Sequence, residues 1–463
     1  MEVRPILEVN PRLRWRWEKD RLLLNTLISF NETAGQILEF CSQEDSKEAV
    51  VERMKQTYPD VDPQRIQKDV ESTFEKFYKW NVLIDPDAVQ TPALPMTPNY
   101  MEHIARHFNN AMSAPLRTIV ELTFDCQATC IHCFTNSPRE LDDPVTFEEW
   151  MNLVELLGKM KTFLISFSGG EPLLYPQLDE LVERAAQTGM RTTLDTNGYL
   201  LTDNRLDELV DLGLQGVYVS LHAPTADVHD SISGMETLFD RAVHAVKISL
   251  DRGLEVQAST VLSQLNKDMI EDLMYFFHDL GVNRVSLMNF IPLGRGAEHA
   301  HLVLTPEDVL EILPKIYETD QKIGDVVFFY PDTPYAYYDR TIGKEAFQLL
   351  KLNGRIGSCV AGILAAAVNP LGEVTGCDAC QGGVLGNIKQ QPFDEIWQNS
   401  KGFAHLRTIS RDKQIPCKNC EFNTMCLINC KGLPSQVGPQ GNPMIADGYS
   451  QRCYQYFHKE GSL

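Results

Sequence analysis

The 463-residue sequence has no apolar run approaching the ~18 residues that a membrane helix needs. Its longest small-apolar stretch is Gly362–Val368, so no membrane partner is expected. The opening Met1-Glu2-Val3-Arg4-Pro5 lacks the charged-then-apolar profile of a secretory signal, and a cytoplasmic location is expected. Positive charge is scarce. The 42 Lys and Arg stand against 63 Asp and Glu, a net charge of −21, which repels a phosphate backbone and excludes nucleic acid as the expected main partner. There is no internal repeat and no low-complexity tract. Apolar residues at 43% and charged residues at 23% describe a folded protein, long enough for two to four domains of ~100–200 residues each. Between Cys133 and Cys359 there is no cysteine at all.

That gap gives the twelve cysteines their meaning. Cys41 stands alone, Cys126, Cys130 and Cys133 bunch together, and Cys359, Cys377, Cys380, Cys417, Cys420, Cys426, Cys430 and Cys453 crowd the end. Thiols that stay reduced read as metal ligands before disulfides when they cluster. Two metal-binding regions therefore flank a cysteine-free middle. Cys41, on an apolar helical stretch without a partner, reads as core.

Residues 1–85 read as a small α+β unit. Arg12-Leu13-Arg14-Trp15-Arg16-Trp17 alternates basic and apolar side chains, a strand with one wet and one buried face. Arg21–Ile28 is a second strand candidate, Asn31 offers an N-cap to a helix through Cys41, and helical patterns follow at 46–58 and 62–79. Residues 86–114, with Pro86, Pro92, Pro95 and Pro98, form a linker. From 115 to 300, strands at Arg117–Thr123, Phe163–Ser168, Arg191–Asp195, Gly216–Leu221, Leu254–Val261 and Arg284–Phe290 alternate with helices. Thr146 and Glu149 form a capping box for one helix, and another helix opens after Asn266. Six βα units in series predict an α/β fold with a parallel sheet, open or curled toward a barrel, with the chemistry at the carboxyl ends of the strands. Residues 301–350 read as a helix and an extended aromatic-rich segment bridging to 351–463, where metal clusters are expected to replace a large apolar core.

Cys126-x-x-x-Cys130-x-x-Cys133 follows the first strand of that series. Three thiolates cannot complete a four-iron cubane, so one iron stays open to an external ligand, as a cluster that does chemistry requires. The alternative is a structural zinc site with His132 as fourth ligand. Gly169-Gly170-Glu171-Pro172 lies past the second strand, where a glycine pair lets the backbone approach a ligand and Glu171 offers a carboxylate to an ammonium group.

With these residues the chain resembles the radical S-adenosylmethionine (SAM) superfamily over roughly 115–300, which implies a partial (β/α)6 TIM-like barrel. The resemblance implies that Cys126, Cys130 and Cys133 hold a [4Fe–4S] cluster whose open iron chelates the amino and carboxylate groups of SAM. Electron transfer then yields methionine and a 5′-deoxyadenosyl radical that removes hydrogen from an unactivated carbon. By position, Glu171 would bind the methionine ammonium with Gly169 and Gly170 beside it, His132 would lie near the adenine, Ser220 would contact the sugar, and Thr196 and Asn197 would line the same pocket. Where many relatives carry an arginine after a His-Asp pair, His229-Asp230-Ser231-Ile232-Ser233-Gly234 places Ser233. Either Arg295 in Gly294-Arg295-Gly296 serves instead, or the iron and backbone hold the SAM carboxylate alone.

Cys359, then Gly372-x-x-x-x-Cys377, then Cys417-x-x-Cys420-x₅-Cys426-x-x-x-Cys430 and Cys453, match the SPASM extension of radical SAM enzymes. That pattern implies two auxiliary clusters, making three [4Fe–4S] clusters in all. Cys417, Cys420, Cys426 and Cys453 would hold the outer one, and Cys359, Cys377 and Cys430 the inner. A zinc ribbon would leave Cys426, Cys430 and Cys453 idle. Cys380 is extra: it either closes the inner cluster or stands by as a thiol. A closed inner cluster relays electrons; an open one could ligate a substrate thiolate.

Residues 1–85 resemble the winged-helix-like domain typified by the pyrroloquinoline-quinone peptide chaperone (PqqD-like), which binds leader peptides of ribosomally made precursors. The likeness rests on the basic-aromatic strand, Leu22-Leu23-Leu24-Asn25, and Phe30-Asn31-Glu32-Thr33-Ala34. An exposed strand edge captures an extended peptide by strand addition, and Arg12, Arg14, Arg16, Lys19 and Arg21 would attract an acidic leader. A solvated face without a partner and a DNA-binding winged helix are the alternatives. The whole reads as a radical SAM maturase of a precursor peptide, served by an electron donor such as flavodoxin or ferredoxin. It would form a thioether, carbon–carbon or carbon–oxygen bond, with thioether favoured. A tetrapyrrole-modifying or sulfatase-maturing enzyme, and a zinc-stabilised peptide adaptor without catalysis, are the rivals.

Overall fold

The computed structural model describes residues 7–11, 13–25, 28–84, 112–324, 326–329, 335–352, 359–379 and 383–408. The chain divides into two compact units, residues 1–109 and 110–463.

In the first unit, β1 (Glu8–Val9) precedes a hairpin-like sheet of β2 (Trp15–Glu18), β3 (Arg21–Leu24) and β4 (Ser29–Asn31). Three helices follow, α1 (Glu32–Cys41), α2 (Lys47–Thr57) and α3 (Pro63–Lys79), before β5 (Leu83–Ile84) returns to pair antiparallel with β1. The caps are those the sequence announces. Asn31 Oδ1 accepts from the Ala34 N–H, Ser46 Oγ from the Ala49 N–H, and Asp62 caps α3 with Pro63 at its first position. Gly35 lets α1 close on the sheet, since a Cβ there would lie 2.6 Å from the Trp17 ring. Cys41 is core, as read, and burial pushes its thiol up to about 12.

The face of β2 is not as expected. Trp15 and Trp17 pack toward the core, but Arg16 and Glu18, on the supposedly wet face, are buried at 2% and 4% exposure and paired at 2.7 Å. Arg14 and Arg21 turn to local oxygens of Leu13 and Ser29, and Arg12 lies outside the described residues. The positive patch on this hairpin is smaller than its arginine count. Among the described residues, β2 and β4 are the outer strands of the sheet.

The second unit builds the expected six strands, β6 (Arg117–Glu121), β7 (Leu164–Ser168), β8 (Arg191–Thr196), β9 (Gly216–Ser220), β10 (Glu255–Leu262) and β11 (Val285–Asn289). Between them run α4 (Phe147–Lys159), α5 (Leu178–Gln187), α6 (Asp203–Asp211), α7 (Ala226–Ser233), α8 (Leu238–Asp251) and α9 (Ile270–Asp279). All neighbours pair parallel in chain order, as βα repeats demand. The Thr146–Glu149 capping box forms in full. Asn266 does not cap α9. Its side chain closes the turn before it, accepting from the Ser263 N–H and donating to the carbonyls of His222 and Val261.

The sheet extends beyond six strands. After α10 (Pro306–Ile323), β12 (Val327–Phe329) pairs parallel with β11, while part of the aromatic segment expected to be extended is helical, α11 (Tyr335–Thr341), followed by α12 (Gly343–Leu352). At the other edge β13 (Ala365–Val368) pairs parallel with β6, and β14 (Glu373–Thr375) and β15 (Gly386–Asn387) add antiparallel. With β15 the sheet reaches ten strands, and α13 (Phe393–Asn399) and α14 (Lys401–Thr408) follow it. Residues 359–379 and 383–408 carry an apolar core, where metal clusters were expected to replace one. Ile363, Val374, Ile396, Trp397 and Phe403 are fully buried, and Trp397 Nε1 donates to the Met112 carbonyl at 2.8 Å.

Alternate strand positions carry polar groups linked side to side. Arg117 meets Asp195 at 3.3 Å and Ser166 at 3.1 Å, Ser166 meets Thr193 at 2.7 Å, and Tyr218 and Arg191 meet Glu255 at 3.0 and 2.6 Å. A sheet core of this kind differs from the apolar layers that fill a closed barrel.

Candidate functional site

The loop between β6 and α4 carries Cys126, Cys130 and Cys133, all half-buried. Other segments hold it from two sides. The end of α7 accepts the Thr129 and Ile131 N–H groups on the Ser233 and Ile232 carbonyls, each at 3.0 Å. Gly234 makes this approach possible: its φ is +65°, and a Cβ would sit 2.3 Å from Thr129 Oγ1. After β11, Gly294 presses on the Cys133 and Phe134 carbonyls, and Arg295 follows. The Arg295 N–H donates to the Cys133 carbonyl at 3.0 Å, and its guanidinium donates to the carbonyls of Cys130, at 2.8 Å, and Ser137. Arg295 thus clamps the cysteine loop. Ser233 is buried and donates to the Asp230 carbonyl, while Asp230 caps the start of α8 through the Thr237 and Phe239 N–H groups.

The Gly-Gly-Glu-Pro turn docks on the same loop. The Gly170 N–H donates to the Thr123 carbonyl at 2.7 Å and the Glu171 N–H to the Asp125 carbonyl at 2.8 Å. A Cβ on Gly169 would lie 2.4 Å from Thr123 O, and one on Gly170 2.2 Å from Asp125 O. The close approach these glycines permit is therefore to the chain's own backbone leading into Cys126. Glu171, fully buried, accepts from Thr196 Oγ1 at 2.8 Å, from the Asn197 N–H at 3.0 Å and from the Leu173 N–H at 3.2 Å. Burial pushes its carboxyl up to about 7 against these three hydrogen bonds. Asn197 links onward, its Oδ1 accepting from Gln127 at 2.9 Å and its Nδ2 lying 3.8 Å from Cys126 Sγ. Glu171, Thr196, Asn197 and Cys126 are thus one connected group. Ser220 lies half-buried at the end of β9, in register with Ser259 of β10.

The sulfurs are prepared as ligands. The Ser137 N–H points to Cys133 Sγ at 3.3 Å, with Thr135 Oγ1 at 3.2 Å. Burial pushes the Cys126 thiol up to about 11 and the Cys130 thiol up to about 12, so their thiolates require a cationic partner. N–H donors to sulfur around an iron-bound thiolate are the outer groups that tune such a cluster, and the donor set fits one. His132, the fourth ligand of the alternative zinc site, packs edge-on against another ring.

That other ring is His222, which the sequence reading missed together with His229. His132 meets His222 edge-on at 4.5 Å and 83°, and His222 stacks on His229 at 5.5 Å. Burial lowers all three imidazoles, His132 and His229 to about 4, so this wall of the site is uncharged. Asp195, Glu121 and Asp378 also gather near the strand ends. Burial raises Glu121 well above the carboxylate range, with the charge of Asp378 adding to it, and raises Asp195 to about 6 against the nearby Arg117.

In the C-terminal region Gly372, at φ +78°, turns the chain ahead of β14, and the Cys377 carbonyl accepts from Thr375 Oγ1. Cys359 and Cys377 are half-buried. Cys380, Cys417, Cys420, Cys426, Cys430 and Cys453 lie outside the described residues.

Sequence profiles of known families settle the class. The profile of the radical SAM superfamily matches residues 120–277. Residues 120–277 form a radical SAM superfamily domain. The profile of an iron–sulfur cluster-binding domain, SPASM, matches 359–421, and that of coenzyme PQQ synthesis protein D matches 19–82. This radical SAM/SPASM chain is 28% identical over 321 residues to an AdoMet-dependent heme synthase of Methanosarcina barkeri, spanning 68% of this chain and 90% of the relative. It is 27% identical over 333 residues to a PqqA peptide cyclase of Bradyrhizobium diazoefficiens, spanning 68% and 81%. The fold resembles that of Streptococcus suis SuiB bound to its precursor peptide SuiA, with a TM-score of 0.67 and 16% identity over 96% of this chain and 100% of that one. It is an enzyme that binds SAM and iron–sulfur clusters, and no helix among its described residues is long and apolar enough to cross a membrane.

Proposed function

We propose that this radical SAM enzyme matures a ribosomally made precursor peptide. The observation that carries the reading is the PqqD domain at 19–82 on the same chain as the radical SAM and SPASM domains. A leader peptide would add as a strand to an outer edge of the β2–β4 sheet. Cys126, Cys130 and Cys133 would hold the SAM-binding cluster, which when reduced supplies the electron that splits the sulfonium and releases a hydrogen-abstracting carbon radical. The chain's own residues arrange this. Arg295 and the end of α7 fix the cysteine loop, Glu171 offers its carboxylate at the strand ends, and His132 presents an uncharged ring to the adenine.

Two auxiliary clusters in the SPASM domain would carry electrons away from the substrate. The outer would rest on Cys417, Cys420, Cys426 and Cys453, the inner on Cys359, Cys377 and Cys430. Cys380→Ala separates the two states of the inner cluster: iron per chain falls if Cys380 closes it and is unchanged if the cluster is open. An electron donor such as flavodoxin or ferredoxin would feed the system, and the new bond would be a thioether before carbon–carbon or carbon–oxygen.

The heme synthase relative favours a second reading, a tetrapyrrole substrate. The test is anaerobic incubation of the reduced, cluster-loaded chain with SAM and each short peptide whose gene adjoins that of the chain. Each new bond removes two hydrogens from the peptide, one as an atom taken by the radical and one as a proton with its electron passed on. Mass spectrometry should show that loss together with 5′-deoxyadenosine. A parallel incubation replaces the peptide with an iron tetrapyrrole; an unchanged peptide in the first and a mass change of the tetrapyrrole in the second would establish the second reading instead.

A further inference from the structure

His222 has no part in the chemistry above, yet it is held as if its placement mattered. It is 3% exposed. Its backbone N–H donates to His229 Nδ1 at 3.1 Å and its carbonyl accepts from Asn266 Nδ2 at 2.9 Å. Its ring Nδ1 accepts from the Val261 N–H at 3.4 Å, which leaves the proton of the neutral imidazole on Nε2. Asn266, buried itself, also donates to the Val261 carbonyl at 2.8 Å, so one side chain ties the end of β10 to His222, two residues beyond β9. The ring held in this way meets His132 edge to face at 4.5 Å, a geometry favoured by aromatic pairs. His132 rides on the cysteine loop between Cys130 and Cys133, whereas His222 belongs to the sheet.

We propose that His222 is a positioning residue for SAM: anchored to the ends of β9 and β10 through Asn266, it sets the ring plane that His132 presents to the adenine. The proposal rests on the reading that the adenine lies beside His132. It assigns to the sheet, rather than to the cysteine loop alone, the task of orienting the nucleoside half of the cofactor.

The test uses the full, cluster-loaded chain with iron counted per molecule. Binding is read from the change each probe makes in the electron paramagnetic resonance signal of the reduced cluster. The probes are SAM and S-methylmethionine, a sulfonium with the same amino acid end and no adenosine. His222→Ala should weaken SAM by about threefold to tenfold, the size of one aromatic pair contact, and leave S-methylmethionine unchanged. His222→Phe, which restores a ring at that place, should recover SAM affinity. Should His222→Ala not take up iron, His222→Leu fills the volume without a ring and carries the same expectation. Equal losses for both probes overturn the proposal, as does unchanged SAM binding in His222→Ala where His132→Ala loses it. Failure of every variant to take up iron, with the circular dichroism intact, assigns His222 to cluster assembly and also overturns it. Unchanged SAM binding in His132→Ala would instead remove the adenine reading on which the proposal stands.

Discussion

At Gly170 an added methyl group would lie 2.2 Å from a backbone oxygen, Asp125 O, in the segment that enters the cysteine loop. A backbone neighbour cannot swing aside as a flexible side chain can, so the loop itself must move. Gly170→Ala should cost about 1–3 kcal/mol, the range for overpacking a tight site, and should lower iron per chain. Urea unfolding and iron analysis of the anaerobic protein check this, and full iron content would show that the loop tolerates the shift. The sequence announced the turn but not its partner. The partner is set by the register of β6 and β7, which brings residues 123–125 against 169–171. His222 and Asn266 were illegible for the same reason, because their contacts join residues 39 and 44 positions apart. Arg295 was legible as a cation near the site but not as a clamp on carbonyls. Arg16 looked solvated from its alternation, yet it is buried beside Glu18.

Elements were read more easily, since caps and periodicity are local. Asn31, and the Thr146–Glu149 box, begin helices where their side chains imply. The segment 301–350, read as a helix and an extended stretch without a role, holds a second box at the start of α10, between Thr305 and Asp308. Asp308 also receives Gln264 and Lys267 from the turn after β10, fastening α10 to the barrel. Burial acts to raise its carboxyl, and the hydrogen bonds from Lys267, Thr305 and Gln264 outweigh that, holding it at about 2. A carboxyl lowered on folding stabilises above its unfolded value near ~4. That contribution is lost as the pH falls toward about 2. The melting temperature of the native chain should therefore drop toward that of Asp308→Asn between about pH 4 and pH 2, the window the shift defines. At neutral pH Asp308→Ala should cost about 1–3 kcal/mol, a lost cap together with charged hydrogen bonds. Equal melting temperatures of native and variant at neutral pH would contradict the fastening role.

On the scale of the whole molecule, spacing made the class legible. Three cysteines after a first strand and a dense set at the end, around a cysteine-free βα series, are unlike a disulfide framework or a single zinc ribbon. The extra strands β12 to β15 were not legible, because β13 is a run of alanines and valine without alternation, and β14 and β15 are short. The division of labour proposed here predicts that removing residues 1–85 abolishes modification of the precursor peptide while sparing SAM cleavage without substrate. Parallel assays of peptide mass and 5′-deoxyadenosine check this, and equal loss of both would give the first unit a structural role instead.

The most direct test concerns the loop held by Arg295 and α7. The native chain, cluster-loaded, reduced and supplied with SAM, should release 5′-deoxyadenosine and methionine in equal amounts, and Cys130→Ala should release neither. Undiminished 5′-deoxyadenosine from Cys130→Ala would contradict the account, because the reactive iron would then lie elsewhere in the chain.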